Sequence, residues 1–270
     1  MTGIERIAEA FESARASGRR AAFMPYMMGG FPDFDTSRRI ALAYADSGAD
    51  LVELGVPFSD PLADGPVIHA AATAALRAGV NLYDVLEVGR AISERVPVIV
   101  MCYANVIFAR GLERFADALL DAGASGLIVP DLPLEESTDA LAACDARGLA
   151  LVPLVAPTTP DDRLARVAAR ARGFLYTVSL TGTTGERAAV TDGLARVVGR
   201  AAAHSDVPVA VGFGISTAEQ AAAAAAAGAD GVIVGSRLVR AAGDGENVGD
   251  PVPAVAALVR ELSTGLATRL

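Results

Sequence analysis

Three carboxylates lie within one stretch of the chain, from Leu51 to Pro66, which begins as an apolar run and continues as a turn-rich segment. Glu53 lies inside the apolar run, whereas Asp60 and Asp64 lie in the turn-rich segment that follows it. A carboxyl group in a buried strand is desolvated, which raises its pKa and suits a group that exchanges protons near neutral pH. A second acid in a more solvated loop stays ionised, and two such environments support two proton-handling roles. The pattern predicts general acid–base chemistry by Glu53 and Asp64.

Structural explanations for the same carboxylates stay open at this point. Glu53 could be the buried ion-pair partner of an arginine, and the pairs Asp60-Pro61 and Asp64-Gly65 could be ordinary turns. His69 is expected near the first turn of the next helix, where a surface position is favoured over catalysis.

The residue types present restrict the chemistry further. The chain has no lysine, so all 23 basic residues are arginines and no Schiff base can form with a carbonyl substrate. The two histidines, His69 and His204, are far apart in sequence, and Cys102 and Cys144 are expected to be buried free thiols. This is poor material for a zinc site, so we expect no metal and no cofactor on this chain.

Composition and charge indicate the class of protein. The net charge of −9 disfavours nucleic acids and anionic membranes as partners. No strongly apolar run is long enough to span a bilayer, and the first residues are typical of an amphipathic helix of a cytoplasmic protein. Since no linker or break in composition is visible, residues 1–270 are expected to form one domain.

Eight apolar segments are predicted as strands, and they alternate with helices. The segments span 21–28, 50–54, 96–102, 126–129, 150–155, 174–179, 208–211 and 231–234. Strict alternation indicates parallel strands with helical crossovers, and eight units fit a (β/α)₈ TIM barrel, here with an extra N-terminal helix over 3–17. The alternative, an open doubly wound sheet, would normally carry a phosphate-binding glycine turn after the first strand, and residues 27–31 are a poor example.

Three of the intervening helices have predicted starts. Thr159 is expected as an N-cap with Pro160 at the first helical position, because both residue types favour those places. Another helix is expected to follow Thr191-Asp192, and Ser216 with Glu219 is predicted to form a capping box.

Glycine-bearing turns follow the last three predicted strands, at 181–185, 212–216 and 235–237. In such barrels these loops, with the N-terminus of a short extra helix, commonly bind phosphate. Glycine lets the backbone approach an anion closely, and Ser236 can add a hydroxyl donor at the start of a short helix over 236–240. We therefore expect a phosphate site made mainly of backbone amides. Arg237 could be a phosphate ligand or an ordinary surface residue.

The segment from Leu54 to Pro66, LGVPFSDPLADGP, resembles the signature of the tryptophan synthase α subunit family. The likeness continues in order through almost the whole chain, at 26–33, 103–105, 129–133, 176–185, 212–216 and 235–236. The resemblance implies a TIM barrel that cleaves indole-3-glycerol phosphate to indole and glyceraldehyde 3-phosphate. This is a retro-aldol reaction without metal or Schiff base, in agreement with the missing lysine.

The resemblance also assigns roles by position. Glu53 matches the general acid/base of the family, and Asp64 matches its second catalytic acid. The positions expected to contact the substrate are Tyr26, Tyr176, Thr184, Gly185, Gly214, Gly235 and Ser236. Of these, Gly185, Gly214, Gly235 and Ser236 match the phosphate site of the family. Thr184 matches the residue that contacts the acidic loop on closure.

A partner follows from the same resemblance. The family's α subunit docks on a β subunit, in an α₂β₂ assembly, and passes indole to it through a tunnel. The docking surface is expected to include Asp60, Asn105 and Pro133. Pyridoxal phosphate is expected only on the β subunit, because this chain has no lysine to hold it.

The sequence departs from the family pattern at Thr183, at Met27-Met28 and in the polar segment 243–250. Three other functions stay open here. The chain could be a free-standing indole-3-glycerol-phosphate lyase, a binding subunit that only activates a β subunit, or a different phosphosugar barrel enzyme such as an isomerase.

Overall fold

Nine parallel strands form the centre of the computed structural model, which describes residues 1–178, 187–212, 214–243 and 249–267. The strands are β1 (Ala22–Met28), β2 (Val52–Gly55), β3 (Val98–Met101), β4 (Gly126–Ile128), β5 (Ala150–Val152), β6 (Leu154–Val155), β7 (Leu175–Val178), β8 (Val209–Gly212) and β9 (Gly231–Val234). Their order in the sheet is β5-β4-β3-β2-β1-β9-β8-β7-β6. Because only Pro153 separates β5 from β6, the two ends of the sheet meet there and close a barrel.

Helices follow the strands and cover the outside of the barrel. They are α1 (Gly3–Ala16), α2 (Phe34–Asp46), α3 (Pro66–Arg77), α4 (Leu82–Arg90), α5 (Ala104–Phe108), α6 (Leu112–Asp121), α7 (Thr138–Asp145), α8 (Asp161–Ala168), α9 (Arg187–Ala202), α10 (Ala218–Ala226), α11 (Ser236–Gly243) and α12 (Val252–Thr264), with a 3₁₀ turn at Leu134–Glu136. The predicted TIM barrel with an additional N-terminal helix is thus confirmed.

The single strand predicted over 150–155 is divided in the structure. Pro153 separates β5, which pairs with β4, from β6, which pairs with β7. Proline has no backbone N–H to donate to a neighbouring strand, so the hydrogen-bonded ladder is interrupted at this residue.

Two predicted helix starts are displaced. The helix expected after Thr191-Asp192 already begins at Arg187. In front of α8, Pro160 occupies the N-cap position, and the hydroxyl of Thr159 instead accepts a hydrogen bond from the backbone N–H of Ala156 at 2.9 Å.

The predicted capping box of α10 is shifted by one residue. Thr217, not Ser216, is the N-cap, and its hydroxyl accepts a hydrogen bond from the Gln220 N–H at 3.2 Å. The Gln220 side chain in turn accepts from the N–H groups of Thr217 and Ser216. Glutamine satisfies the reciprocal bond as well as glutamate does, so Glu219 is not needed for it.

The amino ends of the strands are closed by α1. Ile7 and Phe11 are buried against residues that point into the barrel, and the rings of Phe11 and Phe174 are 6.0 Å apart. This plug leaves the carboxyl ends of the strands as the place where polar side chains can meet a ligand. Within the described ranges, no helix is both long and apolar enough to cross a membrane.

Candidate active site

Glu53 lies in the interior of the barrel near its carboxyl end. All four residues of β2 are buried, and Glu53 is 1% exposed. It points inward two residues after Leu51, which belongs to the inner core, because side chains alternate along a strand. Within the described part of the chain, neither carboxyl oxygen has a hydrogen-bond partner. The alternative of a buried ion pair with an arginine is therefore not what the described residues show.

This environment changes the acidity of Glu53. Burial, with a smaller contribution from the charge of Asp64, raises the pKa of the Glu53 carboxyl to about 8 from an ordinary value of 4.5. A carboxyl group with this pKa is mostly protonated near neutral pH and can either donate its proton or, once ionised, take one back.

Asp64 lies in the loop between β2 and α3, and Tyr103 holds it there. The Tyr103 hydroxyl is hydrogen-bonded to the Asp64 carboxylate and accepts a bond from the Ala63 N–H at 3.1 Å. The Tyr103 ring also stacks on Phe58 of the same loop, with ring centroids 5.1 Å apart. Tyr103 directly follows the predicted third strand, but its contact with Asp64 is not predicted from the sequence.

Asp64 is less solvated than the sequence predicts. Its side chain is half-buried, and this burial raises the pKa of the Asp64 carboxyl, while the hydrogen bond from Tyr103 and the charge of His69 oppose the rise. His69 itself is exposed in α3, at the surface position expected for it. The two acids thus differ in degree: Glu53 is fully buried and has no hydrogen-bond partner among the described residues, whereas Asp64 is hydrogen-bonded.

Two buried tyrosines flank the acids. Tyr26 is in register with Glu53 across β1 and β2, and Tyr176 lies in β7 on the other side of the barrel. Burial raises the pKa of both phenols well above the ordinary value, with smaller contributions from nearby acids. Glycine makes room for each ring: a Cβ at Gly55 would lie 2.1 Å from the Tyr26 hydroxyl oxygen, and one at Gly212 would lie 2.3 Å from that of Tyr176.

The glycine turns after β8 and β9 meet the acids in one cavity of about 310 Å³. Gly214 has a φ of +77°, which strongly favours glycine, and Gly235 is followed at once by α11. The predicted residues that line this cavity are Tyr26, Glu53, Asp64, Tyr176, Gly214, Gly235 and Ser236. The cavity is also lined by residues given no role from sequence, among them Ile68, Met101, Ile215 and Arg240.

Other predicted positions lie elsewhere. Thr184 and Gly185 fall outside the described residues, as does Thr183. Asp60, Asn105 and Pro133 are exposed and do not line the cavity, which is compatible with the docking role expected for them.

A larger cavity of about 460 Å³ lies between α7, α8 and the strands from β4 to β6. Its charged side chains already have partners: Asp131 accepts a bond from the Ala104 N–H at 2.9 Å, and Arg163 pairs with Glu135. The groups suited to proton transfer therefore line the cavity of about 310 Å³, which is the smaller of these two cavities.

Comparisons with known proteins agree with this geometry. The sequence profile of the family described as "Tryptophan synthase alpha chain" matches residues 11–265. The tryptophan synthase alpha chain of Prochlorococcus marinus is 49% identical over 87% of this chain and 86% of its own length. That of Methanosarcina mazei is 44% identical over 97% of this chain and 94% of its own.

Solved structures of tryptophan synthase chains superpose on nearly the whole of this chain. The tryptophan synthase subunit alpha of Legionella pneumophila superposes with a TM-score of 0.88 at 35% identity, covering 97% of this chain and 98% of that one. A chain of Mycobacterium tuberculosis tryptophan synthase superposes with a TM-score of 0.88 at 41% identity, covering 98% and 99%. This chain belongs to the tryptophan synthase alpha chain family and is a carbon–carbon lyase subunit of tryptophan biosynthesis.

Proposed function

We propose that this chain cleaves indole-3-glycerol phosphate with Glu53 as the group that moves protons at the reacting carbon. The observation that carries the proposal is the buried Glu53 carboxyl, whose oxygens have no partner among the described residues and whose pKa is raised to about 8. Such a group is available to the substrate, because no structural interaction has to be broken before it acts.

The proposed reaction balances without any other reactant. Protonated Glu53 gives its proton to C3 of the indole ring, which leaves a positive charge on N1. The bond between C3 and the side chain then breaks, and its electron pair returns to the ring and neutralises that charge. The neighbouring hydroxyl becomes the aldehyde and passes its proton to the Glu53 carboxylate, so the enzyme is restored for the next cycle.

Asp64 is proposed to hold the indole N–H. Its carboxylate would accept this hydrogen bond and stabilise the positive charge that develops on N1 once C3 is protonated. The bond from Tyr103 fixes the carboxylate and favours its ionised form, since hydrogen bonding to a carboxylate opposes the effect of burial. Tyr26 and Tyr176 would bound the indole ring on either side of the acids.

The phosphate is proposed to bind at the turns after β8 and β9. Gly214, Gly235 and Ser236 line the same cavity as the acids, and the first N–H groups of α11 supply donors there. By resemblance, Thr184 and Gly185 would complete the site. A single barrel domain over residues 1–270 would carry all these groups.

The alpha chain family implies a β-chain partner. We propose that it docks on the surface around Asp60, Asn105 and Pro133 and forms an α₂β₂ assembly, with pyridoxal phosphate on the β chain only. The Asp131 carboxylate accepts a hydrogen bond from the Ala104 N–H at 2.9 Å, which links the start of the helix that carries Asn105 to the segment that carries Pro133.

Two large apolar side chains beside these turns support the same docking surface. Leu62 is 88% exposed in the loop that carries Asp60, and Phe108 is 50% exposed in the helix that carries Asn105. A partner that covers these side chains would remove their apolar surface from water, which favours association.

An indole-release assay on the purified chain tests the catalytic proposal. Wild type should release indole from indole-3-glycerol phosphate. Glu53→Gln should lower kcat by about 10²–10⁴, the range for loss of a general acid–base group. Asp64→Asn should lower kcat by about 10²–10³, the range for loss of one contact that stabilises developing charge. Near-normal cleavage by both variants would falsify the mechanism. Adding the β chain should raise turnover of the wild type, whereas a full rate without it would indicate a free-standing lyase.

A further inference from the structure

Two arginines of α11 line the same cavity as the acids. Arg237 and Arg240 follow Ser236 in the first turns of the helix, and all three residues line the cavity. An α-helix turns about 100° per residue, so these three positions fall within an arc of roughly 100° on one face. The opposite face is occupied by Leu238, Val239 and Ala242, which are buried. The packing of α11 therefore leaves both arginines on the face that lines the cavity.

Neither arginine has an ion-pair partner among the described residues. Both are exposed, whereas arginines such as Arg147, Arg163 and Arg200 form ion pairs with neighbouring acids. A guanidinium group that is not paired with a neighbouring acid can form charge-assisted hydrogen bonds to an anion that enters the cavity.

The spacing of charges across the cavity matches an elongated, phosphorylated ligand. The acidic and basic side chains that line the cavity are those of Glu53, Asp64, Arg237 and Arg240. The acids follow or belong to β2, the arginines follow β9, and β1 lies between these strands. Two strand spacings place the ends of β2 and β9 roughly 10 Å apart. The buried Glu53 carboxyl, whose oxygens have no partner among the described residues, is aimed into the same cavity and marks it independently as a place for a ligand.

We propose that Arg237 and Arg240 bind the phosphate of the substrate directly and add charged side chains to the backbone amides of the phosphate site. This inference rests on the proposed function, because it assigns two further residues to the same substrate site. A phosphate group carries close to two negative charges, and the site also contains the Asp64 carboxylate in a chain of net charge −9, so nearby positive charge favours its binding. Arginine is suited to this role because its planar guanidinium can make two parallel hydrogen bonds to a phosphate.

Steady-state kinetics of Arg237→Gln, Arg240→Gln and the double variant test the proposal. Each single change should raise KM for indole-3-glycerol phosphate about fivefold with kcat within about twofold, because it removes a contact made equally in the ground and transition states. The double change should raise KM by about twentyfold or more, and Arg237→Lys with Arg240→Lys should restore part of the loss. The same variants should weaken competitive inhibition by glycerol 3-phosphate.

Arg77→Gln is the matched control. It removes one positive charge from the exposed carboxyl end of α3, and Arg77 lies nine residues, or roughly 14 Å of helix, beyond the cavity-lining Ile68. Its KM should stay within about twofold of wild type, since charges this far apart are screened at physiological ionic strength.

The outcomes separate the two proposals. If wild type releases indole but Arg237→Gln and Arg240→Gln have the same KM as Arg77→Gln, the arginine assignment is overturned and the lyase function stands. If kcat falls while KM is unchanged, the arginines act on the chemical step and direct phosphate binding is refuted. If wild type releases no indole at all, the lyase function itself fails.

Discussion

Replacing Glu53 with glutamine should stabilise the protein increasingly with pH while it removes activity. Glu53 has a folded-state pKa of about 8 and an ordinary value of 4.5. Between these values the folded protein binds more protons than the unfolded chain, so the free energy of unfolding of wild type falls as pH rises. Below the ordinary value this loss is absent, and above about pH 8 it is complete. Glutamine has the same shape and does not ionise, so the variant is free of this loss.

The size of the effect follows from proton linkage. Relative to a side chain that stays neutral, wild type loses about 1 kcal/mol at about pH 5 and about 3 kcal/mol at about pH 7. The stability of Glu53→Gln relative to wild type should therefore rise by about 2 kcal/mol between these pH values, and a one-unit change in the raised pKa alters this little. Any fixed difference caused by burying an amide leaves the pH dependence unchanged.

Urea unfolding of both proteins across this pH range measures the effect. Glu135→Gln is a suitable control because Glu135 is exposed and its hydrogen bond from Arg163 lowers the pKa of the Glu135 carboxyl. Its replacement should give no stability gain that grows with pH. If Glu53→Gln behaves like this control, or if it still releases indole at the wild-type rate, Glu53 is not a buried proton-transfer group and the reasoning is refuted.

Three further predictions concern the surroundings of the acids. Tyr103→Phe keeps the stacked ring but loses the hydrogen bond to Asp64. We expect kcat/KM to fall about tenfold while the circular dichroism spectrum is unchanged. An unaltered kcat/KM would show that this hydrogen bond does not contribute to catalysis. Gly55→Ala should lower the free energy of unfolding by about 1–3 kcal/mol because its Cβ meets the side chain of Tyr26. Gly199→Ala, within α9, meets nothing within 4 Å and should not lower it, so equal losses in denaturant titrations would contradict this. In wild type, kcat/KM should decline above about pH 8 as the buried glutamate ionises, and a profile that stays flat to higher pH would exclude it as the acid.

The order of the elements and the place of the site are predictable from sequence. Eight apolar segments alternate with helices, and closure of a parallel sheet brings the ends of all its strands to one face. This is why Glu53, from the second strand, and Gly235, from the last, could be predicted to meet although they are far apart in the chain. Both residues line the same cavity in the structure.

Local details are less predictable because they depend on which of several similar residues forms a bond. Thr217 and Ser216 are equally good N-caps by type, and only the backbone conformation of Thr217 selects it. Side-chain contacts are another limit. Tyr103 contacts Asp64 of a loop whose path the sequence does not reveal, and Arg240 lines the cavity because the buried apolar residues of α11 are on the opposite face.

The most direct test of the account is a carbon-13 NMR titration of the Glu53 carboxyl, with Glu53→Gln to identify its signal. The account predicts a midpoint of about 8 in the folded protein. A midpoint close to the ordinary glutamate value of 4.5 would show an ionised group at neutral pH and would contradict the proposed proton donor.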